Sequence, residues 1–289
     1  MSDLATAPLT AGAGQSTLCA EDGCELFFRW ARPAQPQGVL LVVHGLGEHS
    51  GRYQALAEAL VAGGFAYYGY DLRGHGLSGG PRGDIRRFGE YTEDLGLVAQ
   101  EVRRREGGRI FLLGHSLGGV VAVIYALDHQ PGLAGLVAAS TAFQPASPPA
   151  KLSLLGVRLL SFLTPHFRVG NNLKPEDLST DHGEIAQYQA DPLVQRRVTV
   201  SWVNEFFSHH EEALERACEL SLPLLVLHGG DDRIASLKAA RTFFERAGSA
   251  DKTFRLFPGL RHELYSESPE KRRLVFADLL KWLAAHLKV

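Results

Sequence analysis

Cysteine is scarce in this chain, with three in 289 residues. Three thiols cannot form a disulfide framework, so the composition favours a reducing compartment. An excess of one charge is also missing, because 30 Lys and Arg residues are balanced by 32 Asp and Glu residues, and this balance gives no indication of nucleic-acid binding. The Cys and His residues show no metal-ligand spacing, and we expect neither a metal nor an organic cofactor.

Long hydrophobic runs are missing too. Residues 1–8 have neither a basic nor an apolar segment and do not resemble a signal peptide. No apolar run reaches the ~18 residues that are needed to span a bilayer. We therefore expect a cytoplasmic protein that can contact membranes peripherally, and its oligomeric state stays open.

Apolar runs that end in small or polar residues recur along the chain. Residues 16–31 predict a β-hairpin, and the later runs are typical of strands buried on both faces of a parallel sheet. These runs span 39–45, 65–70, 109–114, 133–139, 222–227 and 254–257. Helical patterns lie near 52–62, 88–106, 117–130, 236–248 and 269–287. The alternation predicts an α/β protein with a mostly parallel central sheet and helices on both faces.

Residues 142–218 interrupt this alternation, because they contain no clear buried strand. An insertion of this size predicts a helical lid over the edge of the sheet where open α/β sheets bind ligands. The core would then comprise residues 1–141 and 219–289. Within the lid, the apolar segment 152–163 is too short to span a membrane. We expect its leucines and Phe162 to face inward and line an apolar pocket, and transient contact with a lipid surface is the alternative.

A serine flanked by glycines stands between a predicted strand and a predicted helix. In the stretch GHSLG at 114–118, the glycines remove the Cβ atoms that would clash in a sharp turn, and such a turn exposes Ser116 as a nucleophile. A second match, GLSGG at 76–80, has neither a strand before it nor a helix after it. We therefore expect Ser78 to be an ordinary loop residue.

A serine nucleophile needs a general base, and the base needs a carboxylate that orients it. On a strand–turn–helix scaffold these partners follow at the ends of later strands, in the order serine, acid, histidine. Asp231 and Asp232 follow the strand predicted at 222–227, and His262 follows the last predicted strand. The spacing alone leaves the acid open between the two aspartates.

Six stretches of the chain together resemble one known family. They are HGLGEHSGRY at 44–53, GHGLS at 74–78, GHSLGG at 114–119, DPL at 191–193, GDDR at 230–233 and GLRHE at 259–263. Through them the chain resembles the monoacylglycerol lipase family of α/β-hydrolases, grouped with the serine aminopeptidase-like hydrolases, over nearly its full length. The resemblance implies the α/β-hydrolase fold and a serine carboxylic-ester hydrolase that cleaves monoacylglycerols through an acyl-enzyme. A lysophospholipase or a general carboxylesterase is the alternative.

The resemblance also implies roles for single residues in the chemistry. The family's catalytic acid directly precedes an arginine, which selects Asp232 as the partner of His262 and Ser116. The backbone N–H groups of Leu46 and Leu117 would form the oxyanion hole. No side chain is needed for that role, which explains why both residues can be apolar.

The resemblance is less specific about the substrate. Glu48 and Arg52 are candidates for contacts with glycerol hydroxyls or, equally, for a salt-bridged anchor of their loop. Tyr188 is a candidate for the same end of the pocket. Tyr265 stands where some members of the family carry a second histidine. This departure leaves the head group open between glycerol monoesters and other short polar esters, with a small lipid ester as the expected partner.

Overall fold

A computed structural model describes residues 12–147 and 151–287 of the chain, with the backbone alone at 151–154. The strands are β1 (Gly14–Cys19), β2 (Glu25–Ala31), β3 (Gly38–Val43), β4 (Phe65–Tyr70), β5 (Ile110–His115), β6 (Leu133–Ala139), β7 (Arg168–Gly170), β8 (Arg197–Thr199), β9 (Leu224–Gly229) and β10 (Lys252–Phe257). The helices are α1 (Gln54–Ala62), α2 (Gly89–Glu106), α3 (Leu117–His129), α4 (Lys151–Leu163), α5 (Pro175–Leu178), α6 (His182–Ala190), α7 (Val200–His209), α8 (Glu212–Glu215), α9 (Leu237–Arg246) and α10 (Pro269–Ala285).

Eight of these strands form one sheet in the order β1-β2-β4-β3-β5-β6-β9-β10. Along this order the pairs from β4 to β10 are parallel, and the hairpin of β1 and β2 joins β4 in antiparallel orientation. The sheet is therefore mostly parallel, and the predicted α/β class is confirmed.

Helices cover both faces of this sheet. Successive residues of a strand point to opposite faces. Leu41 and Val43 of β3 lie in a core that includes α2, α3 and α9, whereas Leu40 and Val42 lie in a second core that includes α1 and α10. Because every central strand is buried on both sides, its sequence is a continuous apolar run without alternating polar residues.

The segment between β6 and β9 carries α4 to α8 and two strands that the sequence did not predict. β7 and β8 pair in antiparallel orientation. Each has three residues, which are too few to show a pattern of alternating burial. The segment is fastened to the core: Thr199 donates a hydrogen bond from Oγ1 to Asp84 at 2.6 Å, and the indole N–H of Trp202 donates to the hydroxyl of Tyr91 at 2.9 Å.

Candidate active site

Ser116 occupies a strained turn between β5 and α3. Its backbone has φ 53° and ψ −118°, a conformation that is costly for a residue with a side chain and that clusters at functional sites. A Cβ on Gly114 would collide with the carbonyl oxygen of Gly118, and a Cβ on Gly118 would collide with that of His44. Glycine is required at both positions, for the steric reason that the sequence suggested.

His262 and Asp232 are joined by a hydrogen bond at the ends of the neighbouring strands β9 and β10. His262 Nδ1 donates to Asp232 Oδ2 at 2.8 Å, and Asp232 Oδ1 accepts from the backbone N–H groups of Ile234 and Ala235 at 2.8 and 2.9 Å. Asp231, the other aspartate, is exposed. The local geometry therefore pairs His262 with Asp232.

This pairing changes the titration of both groups. Burial alone would raise the pKa of Asp232, but His262 outweighs it and lowers that pKa. Burial alone would lower the pKa of His262, but the carboxylate of Asp232 outweighs it and raises that pKa above its usual value. Each residue thus favours the charged form of the other.

His262 lies beside the turn that carries Ser116. The ring of His262 lies 4.8 Å, centroid to centroid, from the ring of His115, the residue before Ser116. Ser78, in contrast, is buried in its loop: its Oγ accepts from the backbone N–H of Phe27 and donates to the carbonyl of Asp71. The structure thus pairs His262 with Asp232 next to the residue that precedes Ser116, and it gives Ser78 a bracing role.

The loop after β3 presents the backbone of Leu46 next to this serine. In the described part of the chain the N–H of Leu46 has no acceptor, and Leu117, as the first residue of α3, has no acceptor within its helix. The side chain of His44 holds the loop. His44 donates from Nδ1 to the carbonyl of Gly45 at 2.7 Å and accepts at Nε2 from Leu72 N–H at 2.9 Å.

An apolar cavity of about 410 Å³ opens beside Ser116, beneath the segment between β6 and β9. Leu46 and Leu117 line the same cavity, so both candidate oxyanion donors and the candidate nucleophile share it. Most of the remaining lining is apolar, and α7 contributes an aromatic row. The described lining residues are Leu46, Ser116, Leu117, Ala142, Pro145, Ser147, Val157, Val169, Gly170, Asn171, Asn172, Leu173, Val198, Trp202, Val203, Phe206, Phe207 and Ile234.

The predicted orientation of the apolar segment 152–163 is wrong for most of its described side chains. Val157 lines the cavity, whereas five neighbours on α4 are exposed, namely Leu155, Leu159, Leu160, Phe162 and Leu163. Phe162 has 84% of its surface exposed. The side chains of Leu152 and Leu154 lie outside the described residues. A helix that is apolar on several faces buries only one of them, and here α7 supplies most of the wall that α4 was expected to supply.

Phe167, four residues beyond α4, extends this exposed apolar surface. The surface does not belong to a membrane-spanning element: among the described residues, no helix combines the length and the apolar character that crossing a bilayer requires.

Glu48, Arg52 and Tyr188 are brought together, but behind the loop of Leu46 and outside the lining of the cavity. Arg52 donates from Nη2 to Glu263 at 2.7 Å, and its guanidinium lies 4.9 Å from the ring centroid of Tyr188. Glu48 Oε1 accepts from the backbone N–H of Gly45 at 2.6 Å and lies in the same buried cluster. These contacts are those of a salt-bridged anchor.

The anchor contains one cation and two carboxylates. Burial raises the pKa of Glu48 to about 7, with Glu263 adding to the effect and Arg52 opposing it. Arg52 outweighs burial at Glu263 and lowers the pKa of that carboxyl. Sequence reasoning misses Glu263 as a site residue, although its position directly after His262 was the available signal.

A second contact that sequence reasoning misses joins the loop to the segment between β6 and β9. His49 Nε2 lies 2.8 Å from Asp191 Oδ2, and the backbone N–H of Gln195 donates to the carbonyl of Gly47 at 2.9 Å. Both stretches that carry these residues had been noted as motifs, but their 142-residue separation hid the contact.

Comparisons with known proteins show which family the chain belongs to. The family model described as serine aminopeptidase, S33, matches residues 34–269. A monoacylglycerol lipase of Mycolicibacterium smegmatis is 31% identical over 260 residues, which are 89% of this chain and 92% of that protein. An uncharacterized abhydrolase domain-containing protein of Dictyostelium discoideum is 30% identical over 278 residues, which are 94% of this chain but only 29% of that protein.

A solved structure extends the likeness to three dimensions. The crystal structure of Paleococcus ferrophilus monoacylglycerol lipase superposes with a TM-score of 0.82 at 32% identity, over 90% of this chain and 99% of that one. The chain is therefore a member of the serine aminopeptidase S33 family of α/β-hydrolases, and within that family it resembles the monoacylglycerol lipases.

Proposed function

We propose that this chain is a serine carboxylic-ester hydrolase that cleaves monoacylglycerols to glycerol and a fatty acid through an acyl-enzyme. The observation that carries the proposal is the hydrogen bond between His262 Nδ1 and Asp232 Oδ2, beside a strained Ser116 at the wall of an apolar cavity. The relatives named above support the choice of monoacylglycerol. A lysophospholipase or a general carboxylesterase would use the same chemistry and is the alternative.

In the first half of the reaction Ser116 Oγ attacks the ester carbonyl. Because Nδ1 of His262 donates to Asp232, Nε2 carries the free lone pair and accepts the serine proton. Asp232 keeps this tautomer and stabilises the imidazolium. The oxyanion of the tetrahedral intermediate accepts from the N–H groups of Leu46 and Leu117, and one such donor contributes about 3–4 kcal/mol to transition-state stabilisation.

In the second half the ester bond breaks and the acyl-enzyme is hydrolysed. The imidazolium of His262 gives its Nε2 proton to the leaving glycerol oxygen, which leaves the acyl group on Ser116. A water then enters and attacks the acyl carbonyl while His262 removes its proton. The second tetrahedral intermediate collapses by breaking the bond to Ser116 Oγ, which takes that proton back from His262 as the fatty acid is released. No cofactor takes part in any of these steps.

The two ends of the substrate meet different surroundings. The cavity beside Ser116 is apolar and accommodates one acyl chain. The contacts of Glu48 favour the anchor role for it, because its Oε1 already accepts from Gly45 and Tyr53. Arg52 Nε lies 3.7 Å from Glu48 Oε2 but makes no hydrogen bond among the described residues, so Arg52, together with Tyr188, is the better candidate for a glycerol hydroxyl once the substrate is bound.

Residues 142–218 are proposed as the lid, on a core of 1–141 and 219–289. The exposed apolar face of α4, which comprises Leu155, Leu159, Leu160, Phe162 and Leu163, would touch a lipid surface from which substrate enters the cavity. All three cysteines are free, which supports a cytoplasmic location for a protein that meets membranes only peripherally.

The test of this function is a substrate profile of the purified protein. Monoacylglycerols, diacylglycerols, triacylglycerols, lysophosphatidylcholine and p-nitrophenyl esters with the same acyl chain are compared by kcat/KM. We expect monoacylglycerols to be the best of the natural lipids and triacylglycerols to be cleaved poorly, because the cavity beside Ser116 holds one acyl chain. Preference for lysophosphatidylcholine would replace the proposal by a lysophospholipase.

A further inference from the structure

His228 is a buried polar residue near the end of β9, and its ring lies close to the backbone of Ala235 and to the side chain of Asp232. Its side chain is fully buried, and in the described part of the chain neither Nδ1 nor Nε2 makes a hydrogen bond. Buried polar atoms are nearly always paired, because an unpaired one keeps the cost of leaving water without any compensation. Because such a buried group does not stabilise the fold, we look for a functional role for it.

A carboxylate oxygen of Asp232 lies close to this ring. His228 Nε2 lies 3.7 Å from Asp232 Oδ2, the same oxygen that accepts from His262 Nδ1 at 2.8 Å. The other oxygen, Oδ1, is occupied by two backbone N–H groups. Oδ2 therefore has one partner at hydrogen-bond distance and one imidazole just beyond it.

The charge state of His228 follows from its burial. Burial lowers the pKa of His228, and the carboxylate of Asp232 and the backbone of Ala235 oppose that effect without cancelling it. The ring is thus neutral at neutral pH and carries a single N–H. An N–H at Nε2 would point its positive end at Oδ2.

We infer that His228 is a positioning residue that acts through Asp232, with its Nε2–H directed at Oδ2. This inference rests on the proposed roles of Ser116, His262 and Asp232. The N–H restrains the carboxylate beside His262 and reduces its attraction for a proton on that ring. His262 then stays unprotonated to a lower pH, which a general base requires before it accepts the serine proton.

Other charges also act on this pair and are present in every comparison. Arg241 of α9 acts on His228, and Glu263, Glu48 and His115 act on His262. None of them is altered by a substitution at position 228. A change in the behaviour of His262 in such a variant therefore reports on the imidazole of His228.

The decisive comparison is between His228→Leu and His228→Gln. Leucine removes the donor, and glutamine keeps a neutral N–H. In H228L the acid limb of kcat/KM against pH should move to higher pH by about 0.5–1 unit, with a fall in kcat at pH 6.5 of roughly three- to tenfold and little change in KM. H228Q should restore most of the wild-type profile. The Nδ1 proton of His262, observed at low field by ¹H NMR, should shift in H228L and return toward its wild-type position in H228Q.

A purely structural role makes a different prediction. An apolar residue in place of an unpaired buried ring should raise Tm and leave both the pH profile and the low-field resonance unchanged. That result in H228L, or equal shifts in H228L and H228Q, would overturn the inference. H228F, an apolar replacement of another shape, is measured in parallel and replaces H228L in the comparison if the leucine variant folds poorly.

A failure of the proposed function can be distinguished from a failure of the inference about His228. A wild-type chain without esterase activity, or a low-field resonance that persists in D232N, would overturn the roles of Ser116, His262 and Asp232. The inference about His228 fails alone when the wild type is active, D232N loses the resonance, and H228L changes neither the profile nor the spectrum.

Discussion

Glu48 accepts a hydrogen bond from the backbone N–H of Gly45 at 2.6 Å, which ties a buried carboxyl to the residue before Leu46. Burial raises the pKa of this carboxyl to about 7. A carboxyl with a raised folded-state pKa contributes stability that is fully present below its unfolded pKa and is lost as pH rises through its folded value. The wild-type protein should therefore lose this contribution between about pH 4.5 and pH 7.

Glu48→Gln removes that loss, because glutamine stays neutral and keeps an oxygen that accepts from Gly45. We expect E48Q to have a higher Tm than the wild type at pH 8, by roughly 2–4 °C for each kcal/mol, and a similar Tm at pH 5. Differential scanning calorimetry at the two pH values measures the effect. Glu58→Gln, on the exposed side of α1, is the control and should shift Tm little at either pH. A lower Tm for E48Q at pH 8 would contradict the raised pKa.

Ser116→Ala should abolish both ester hydrolysis and labelling by a fluorophosphonate probe, because Ser116 carries the proposed nucleophile. The fold should persist, since alanine fits wherever serine does. Ser78→Ala removes two buried hydrogen bonds from its loop, so we expect lower stability but retained labelling. Mass spectrometry of the labelled peptide decides: a label on Ser78 would refute the assignment.

Asp232→Asn should lower kcat by about 10⁴, the scale seen when a triad acid can no longer hold the tautomer of its base. Asp231→Asn is the matched control, one residue away and exposed, and should keep nearly full activity. Steady-state kinetics on a p-nitrophenyl ester provides the measurement. The reverse order of the two variants would assign the acid to Asp231.

Phe206→Ala should alter the dependence of kcat/KM on acyl length, because Phe206 lies in the aromatic row that lines the cavity. Each buried CH₂ contributes ~0.8 kcal/mol, so the wild-type values should rise with chain length until the cavity is full. Enlarging the cavity should move that maximum to longer chains. Leu159→Ala, on the exposed face of α4, is the control and should leave the profile unchanged. A flat wild-type profile would favour the general carboxylesterase.

Leu159→Glu and Phe162→Glu place charges on the exposed face of α4. We expect slower hydrolysis of monoacylglycerol presented in phosphatidylcholine vesicles, because contact with the vesicle would bury the glutamate charge in lipid. Hydrolysis of a dissolved p-nitrophenyl ester should not change, since the cavity is untouched. A vesicle co-sedimentation assay gives binding directly. Equal loss on both substrates would mean that α4 supports the site itself.

The turn at Ser116 could be predicted because its cause is local. Gly114 and Gly118 lie two residues on either side of Ser116, so the five consecutive residues 114–118 are enough to predict their steric role. The parallel sheet could be predicted for a similar reason, since each strand carries its own apolar run. The orientation of α4 could not, because a pattern of leucines defines an apolar helix but not which neighbour covers it.

Contacts between residues that are far apart in the sequence could not be predicted either. Arg52 and Glu263 are separated by 211 positions, so no local pattern couples them. The position of His228 inside a strand was not predicted, for a different reason. The apolar run ends at Leu227, and the polar residue after it suggested the end of the strand, whereas β9 continues to Gly229. Polar residues buried inside a strand are invisible to patterns that treat polarity as exposure.

Different parts of the fold position the reacting residues and line the cavity for the acyl chain. β3 and β5 pair directly, with Val43 opposite Gly114, so the spacing between the loop of Leu46 and the turn of Ser116 is set by backbone hydrogen bonds. β6 and β9 also pair directly, in parallel, so the segment between them leaves at the carboxyl end of β6 and returns to the amino end of β9. Because this pairing fixes the spacing of β6 and β9, the residues of the segment that line the cavity can change the acyl preference while the strand ends that carry Ser116, Asp232 and His262 keep their positions.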